Sequence, residues 1–198
     1  MIDNMSYHQK AWQEFLRRYG IQLSDEEFKR KISGKKNDAI FEIVFGRRLD
    51  DQDLARYAEE KEALYRELYY PYIRELPGLS KTIQTLQDYG LRTAIATTAP
   101  ARNREFGLQR LRLEDKFEVI LGDEHVAHGK PDPEIYLKTA AQLGVEPSRC
   151  IVFEDSPGGV QSAKAAGMTV VGILSSHTAP ELEQADYIVN NFTDLSFS

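Results

Sequence analysis

Residues 150–173 read CIVFEDSPGGVQSAKAAGMTVVGI. An unbroken apolar run ends in Glu154 and Asp155, Ser156 and Pro157 follow as N-cap and first helical residue, and a second β-branched run occupies 168–173. The stretch therefore predicts a strand, a helix over 157–166 and another strand. Two strands joined through a helix pair in parallel, because a parallel connection needs a crossover of a dozen or more residues. On either side, β-rich runs recur at LRTAIAT (91–97), FEVIL (117–121) and DYIVN (186–190), with helical stretches at 79–89, 101–111 and 133–143. From residue 77 to 198 the chain reads as an α/β domain with a Rossmann-like parallel sheet.

Upstream the pattern is different. No proline occurs between Met1 and Tyr70, and Gly20, Gly34 and Gly46 each follow a stretch with helical spacing, as closing glycines do. Tyr7, Ala11, Phe15 and Tyr19 recur every four residues, joined by Trp12 and Leu16 on one face. Ser24-Asp25-Glu26-Glu27 is a capping box that starts a second helix. The segment 50–70 predicts a long charged helix that buries Leu54, Tyr57, Leu64, Tyr65 and Leu68. Residues 3–76 thus form an all-helical domain of about four helices.

The 198 residues include 25 Lys and Arg against 31 Asp and Glu, a net charge of −6. A chain of that sign lacks the basic patch on which non-specific nucleic-acid binding rests. About a quarter of the residues are Leu, Ile, Val or Phe, above the level at which a chain stays disordered. No apolar run approaches the roughly 20 residues of a membrane-spanning helix. The single Cys150 forms no intramolecular disulfide and reads as a small buried hydrophobe, which fits a reducing cytoplasm.

Three places carry chemistry. In AIATTAP, Thr97 and Thr98 stand where a strand ends and a helix begins, a junction whose hydroxyls and free N–H groups favour an anion; a Thr there also serves as a simple cap. In HGKPDPEIY, Lys130 is held in a loop between Gly129 and Pro131, before a helix with Asp132 as cap and Pro133 at its first position. Held so stiffly, it suits a point charge for phosphate, although a solvated loop lysine reads the same way. In IVFEDSPGGV, Glu154 and Asp155 repel one another unless a cation lies between them, and Mg²⁺ is held by one or two carboxylates with water and phosphate oxygen. The structural alternative is that these acids only favour the helix N-terminus.

Taken in chain order on successive strand ends, Thr97, Lys130 and Glu154-Asp155 resemble the haloacid dehalogenase superfamily of aspartate-nucleophile phosphotransferases. The GKPDPEIY loop and FEDSPGGVQSAKAAGM resemble the signature of its β-phosphoglucomutase and sugar-phosphatase branch, in which an all-helical cap is inserted after the first strand. Tyr7-His8-Gln9-Lys10-Ala11-Trp12 is similar to the YHxxAW run that opens such caps. The resemblance implies a Mg²⁺-dependent phosphohydrolase acting on a small phosphorylated metabolite, a sugar phosphate, through an aspartyl-phosphate. It implies that Asp155 and Glu154 hold Mg²⁺, that Thr97 and the backbone at Thr98 hold phosphoryl oxygens, and that Lys130 offsets charge. It also places His8 near the hinge and Gly34, Lys35, Lys36, Asn37 and Lys61 where the cap reaches the substrate. The position that often carries a phosphate-binding Arg in the mutases is Asn37 here, so β-phosphoglucomutase-type transfer stands as the alternative, with Lys35 or Lys36 as substitute cation. His125, His128 and His177 read as ordinary loop residues.

One family element is missing from the sequence. Members open with a strand ending in DxDG(T/V), the first Asp attacking phosphorus and the second acting as general acid and base, whereas Met1-Ile2-Asp3-Asn4 matches the residues just after that motif. Asp51-Gln52-Asp53 falls at a helix start and does not replace it. In this fold that strand lies mid-sheet, and losing about four buried aliphatic side chains at roughly 1.5–3 kcal/mol each rivals the stability of a domain. The expectation is therefore that the complete protein carries the strand. A catalytically inactive phosphate-ester binding protein is the alternative for the 198 residues alone. A phospho-receiver domain also combines an acid pair, Thr and Lys, but there the acids come first in the chain.

Overall fold

The computed structural model describes residues 1–32 and 37–197, and these fall into two units, Asn4–Tyr72 and Met1–Asp3 with Ile73–Ser198. The helical unit ends four residues before the expected residue 76. Leu76 explains the difference: its N–H donates to Met1 O at 2.8 Å, and its side chain is buried in the core of the α/β unit.

The helical unit contains α1 (Met5–Arg18), α2 (Asp25–Lys31), α3 (Asn37–Phe45) and α4 (Asp51–Tyr69). Gly20 and Gly46 follow α1 and α3 with φ of +67° and +64°, a region that favours glycine; Gly34, with Lys35 and Lys36, lies outside the described residues. Ser24 and Glu27 form both bonds of the capping box on α2. The apolar faces of α1, α3 and α4 meet in a nest of rings: Phe15 lies 5.4 Å from Phe41 and 6.0 Å from Tyr57, and Trp12 lies 5.1 Å from Phe41. Leu54 and Leu68 of α4 are only half-buried, whereas Lys61 and Glu62 are buried. Hydrophobic spacing alone does not reveal a buried ion pair.

The α/β unit runs α5 (Leu79–Asp88), β1 (Ala94–Ala96), α6 (Ala101–Leu111), β2 (Val119–Leu121), α7 (Glu134–Leu143), β3 (Ile151–Glu154), α8 (Pro157–Ala165), β4 (Thr169–Ile173) and β5 (Tyr187–Val189). All pairing is parallel: β1 with β2, and separately β3 with β4 and β4 with β5. Side chains alternate between two cores. Ala96, Val119, Leu121, Val152 and Val170 pack with Ile135, Tyr136, Val160 and Ala163 of α7 and α8. Ile95, Ile120, Phe153, Val171 and Ile173 pack with Leu79, Ile83 and Leu108 of α5 and α6. Successive residues of a strand point to opposite faces, so helices cover both sides, and both cores run across the two sheets. No ladder links β1 to β3 among the described residues.

Cys150 departs from the expectation of burial. It lies at the N-terminal entrance to β3, beside Ile151, which is 63 % exposed, and is itself half-buried. Among the described residues, no helix is long and apolar enough to cross a membrane.

Candidate active site

The three chemical stretches meet at the carboxyl ends of the strands, where open parallel sheets bind ligands. Thr97 follows β1, Glu154 closes β3, and the loop after β2 brings in Lys130. That loop is tied down along its length. The Glu134 carboxylate accepts N–H bonds from Ala127 and His128, Asp132 Oδ1 accepts from Glu134 N at 2.9 Å, and Ser162 Oγ of α8 donates to Asp132 O at 2.6 Å.

Lys130 is therefore no solvated loop lysine. Its side chain is 9 % exposed, and its ammonium donates to Ala96 O at 3.1 Å, to the Tyr136 hydroxyl at 2.9 Å and to Glu154 Oε1. One charge thus binds the ends of β1 and β3.

Glu154 is fully engaged. Oε1 accepts from Lys130 and from the Tyr136 hydroxyl at 2.6 Å, while Oε2 accepts from Asp155 N, Ser156 N and Ser156 Oγ at 3.1–3.3 Å. The carboxylate lies so close over Gly159 of α8 that a Cβ there would collide with it. Burial works to raise the Glu154 pKa, but Lys130 beside it and the bonds from Lys130, Tyr136 and Ser156 outweigh burial, and the net shift is downward. The Tyr136 hydroxyl is pushed well above its ordinary value by burial and by the Glu154 charge.

Asp155 is half-buried and differently placed. Oδ2 accepts from Ser175 Oγ at 3.1 Å and Ser176 Oγ at 2.7 Å, whereas Oδ1 accepts no hydrogen bond from the described residues. A carboxylate with one oxygen fixed and one open at a strand end fits a hard divalent cation, so the residues present suit Mg²⁺, with Asp155 as the available donor. Thr97 Oγ1 accepts from Ala99 N at 3.1 Å, the capping role, and its own proton remains for a ligand oxygen; Thr98 is exposed beside it.

His177, read from sequence as an ordinary loop residue, contacts this site: its Nδ1 lies 2.8 Å from Asp155 O. Nothing in the spacing of Ser175, Ser176 and His177 signals this. Only the pairing of β3 with β4 brings their loop beside Asp155. His128, Asp132 and Glu134 place donor atoms within 4.8 Å of one another, but Glu134 already serves the loop and pairs with Lys138 at 2.6 Å.

The helical unit has its own polar cluster. Lys61 is 2 % exposed, and its ammonium lies 2.8 Å from Glu62 Oε1 and 2.9 Å from His8 Nδ1. Asn37 Nδ2 donates to Glu62 Oε1 at 3.2 Å, and the His8 ring stacks on Tyr65 with centroids 3.9 Å apart. Burial and then the Lys61 charge lower the His8 pKa to about 4, against some help from Glu62, while burial lowers that of Lys61. An unfolded His8 titrates near 6.5. Between those values the unfolded state binds more protons, so folding stability falls as pH drops from 6.5 toward 4. The expected loss is about 2–3 kcal/mol, and His8→Gln should flatten that part of a urea-unfolding profile; an unchanged acid slope would place its origin elsewhere.

The haloacid dehalogenase-like hydrolase family model matches residues 1–173. A fructose-1-phosphate phosphatase of Escherichia coli K12, YqaB, is 32 % identical over 174 residues, covering 87 % of this chain and 90 % of the relative. The β-phosphoglucomutase of Bacillus subtilis 168 is 29 % identical over 206 residues, covering 99 % of this chain and 87 % of the mutase. Among solved structures, a family IA, variant 3 hydrolase of Entamoeba histolytica HM-1:IMSS superposes with a TM-score of 0.89 at 34 % identity, covering 99 % of this chain and 91 % of that one. With its strand-end site and its inserted helical unit, the chain belongs to the haloacid dehalogenase-like hydrolase family of phosphatases and phosphomutases.

Proposed function

We propose that the protein is a cytoplasmic, Mg²⁺-dependent phosphohydrolase of small phosphorylated metabolites, with sugar phosphates as the substrate class. The observation that carries this reading is the buried Lys130 ammonium, which donates to Ala96 O, next in the chain to Thr97, and to Glu154 Oε1, next in the chain to Asp155. Lys130 supplies fixed positive charge for a phosphoryl group that exchanges for one of its three acceptors. The Thr97 hydroxyl and the Thr98 N–H hold further phosphoryl oxygens. Asp155 Oδ1 holds the cation, and Glu154 anchors Lys130 while standing next to it. The bound Mg²⁺ supplies charge neutralisation at the phosphoryl oxygens.

The attacking aspartate is proposed to come from a DxDG(T/V) strand seated between β1 and β3. The edges of those strands, which no ladder joins among the described residues, support this. In the helical unit, His8, Asn37 and Lys61 are proposed to read the sugar, together with Gly34, Lys35 and Lys36. The engagement of Asn37 with Glu62, where many mutases carry an Arg, favours hydrolysis over transfer within one substrate.

Phosphate-ester binding needs no nucleophile and tests the pocket on these 198 residues. Calorimetric titration with a panel of hexose and pentose phosphates in Mg²⁺ should give one site, weakened about tenfold by Thr97→Val, the loss of one hydrogen bond to a charged group. No binding by any ester, or binding indifferent to Thr97→Val, would count against the pocket.

A further inference from the structure

The Ser175-Ser176-His177 turn, on the reading of Asp155 as cation ligand, has a role of its own: we infer that it is a positioning clamp that sets which Asp155 oxygen faces the cation. Register brings the two together. Glu154 lies opposite Gly172 in the β3–β4 ladder, so the residues just past the end of β4 arrive beside Asp155. Three groups of the turn then converge on this one residue. The Ser175 and Ser176 hydroxyls both donate to Oδ2, at 3.1 and 2.7 Å, and His177 Nδ1 donates to the Asp155 carbonyl at 2.8 Å.

Both ends of the turn are fixed. Leu174 N donates to Val189 O at 3.0 Å and Ser175 N to Ile173 O at 2.9 Å on the strand side. On the far side, Thr178 N donates to Glu181 Oε2 at 2.9 Å, and the following Leu182 is 0 % exposed. The donors are thus held by the sheet and the core before any ligand arrives. With Oδ2 saturated, only Oδ1 is open, which enforces single-oxygen ligation and suits an ion that demands near-octahedral geometry. Without the hydroxyls, the carboxylate is free to rotate and to offer either oxygen. Partners that orient a ligand in this way are worth 10–100-fold in metal affinity.

Mn²⁺ binding to the 198-residue protein, followed by water-proton relaxation, tests the clamp without turnover. The parent is expected to bind one Mn²⁺, and Asp155→Asn to lose it. Ser175→Ala/Ser176→Ala should weaken the site 10–100-fold, and Ser175→Thr/Ser176→Thr, which keeps both hydroxyls, should restore most of the affinity. If Asp155→Asn loses the ion while the double alanine variant binds like the parent, the clamp is wrong and the Asp155 reading stands. If the parent binds no Mn²⁺, or Asp155→Asn retains it, the Asp155 reading fails and the clamp with it.

Discussion

Lys130→Ala is expected to destabilise the α/β unit by about 3–5 kcal/mol, the cost of removing one partner of a buried ion pair. It leaves Glu154, 8 % exposed, without its countercharge, and leaves Ala96 O and the Tyr136 hydroxyl each short of a partner. The pH dependence should also change sign. In the parent, the Glu154 pKa lies below its ordinary 4.5, so the pair's contribution is present above that pH and is lost as pH falls through the lowered value. In the variant, burial acts without Lys130 to oppose it, the carboxyl's pKa moves above 4.5, and stability is lost as pH rises through that range. Urea unfolding at pH 4 and pH 7 checks this. The gap between parent and variant should be wider at pH 7, and an equal gap would show that Glu154 does not depend on Lys130.

Asp155→Asn should affect chemistry far more than folding. The residue is half-buried, and its Oδ2 contacts come from two hydroxyls that an amide oxygen can still accept. Stability should change by less than about 1 kcal/mol, in the range of one neutral hydrogen bond. The amide lacks the charge that holds a cation, and losing the several kcal/mol that a metal contributes to the transition state corresponds to roughly a thousandfold in turnover. The measurement is phosphate release by a form of the chain that also carries a DxDGV strand. Turnover within tenfold of the parent form would remove Asp155 from the metal site.

How much of this was legible in the sequence depended on whether the signal was local. β1 to β5 and α5 to α8 all fall within the expected runs, because apolar strands and capped helices are written in neighbouring residues. Thr97, Lys130, Glu154 and Asp155 stand out for the same reason, each in a strand-end or Pro-fixed stretch. What they do there was not legible. Glu154 and Asp155 read as an equivalent pair, yet one is turned inward onto Lys130 and the α8 N-terminus, and the other toward the Ser175-Ser176 turn. Neither Tyr136, eighteen residues from Glu154, nor His177, twenty-two from Asp155, leaves a mark at short range. The burial of Lys61 and Glu62 was hidden in the same way, because a charged pair on a long helix looks solvated until His8 of another helix is seen against it.

A phosphoryl-transfer site on the ends of β1 and β3 is tested by the rate of phosphate release from a panel of sugar phosphates in Mg²⁺. The 198-residue chain should be compared with the same chain extended by a strand ending in DxDGV ahead of Asp3. Turnover is expected in the extended form alone, abolished by Asp155→Asn. Turnover by the 198 residues that survives both Thr97→Val and Asp155→Asn would contradict it.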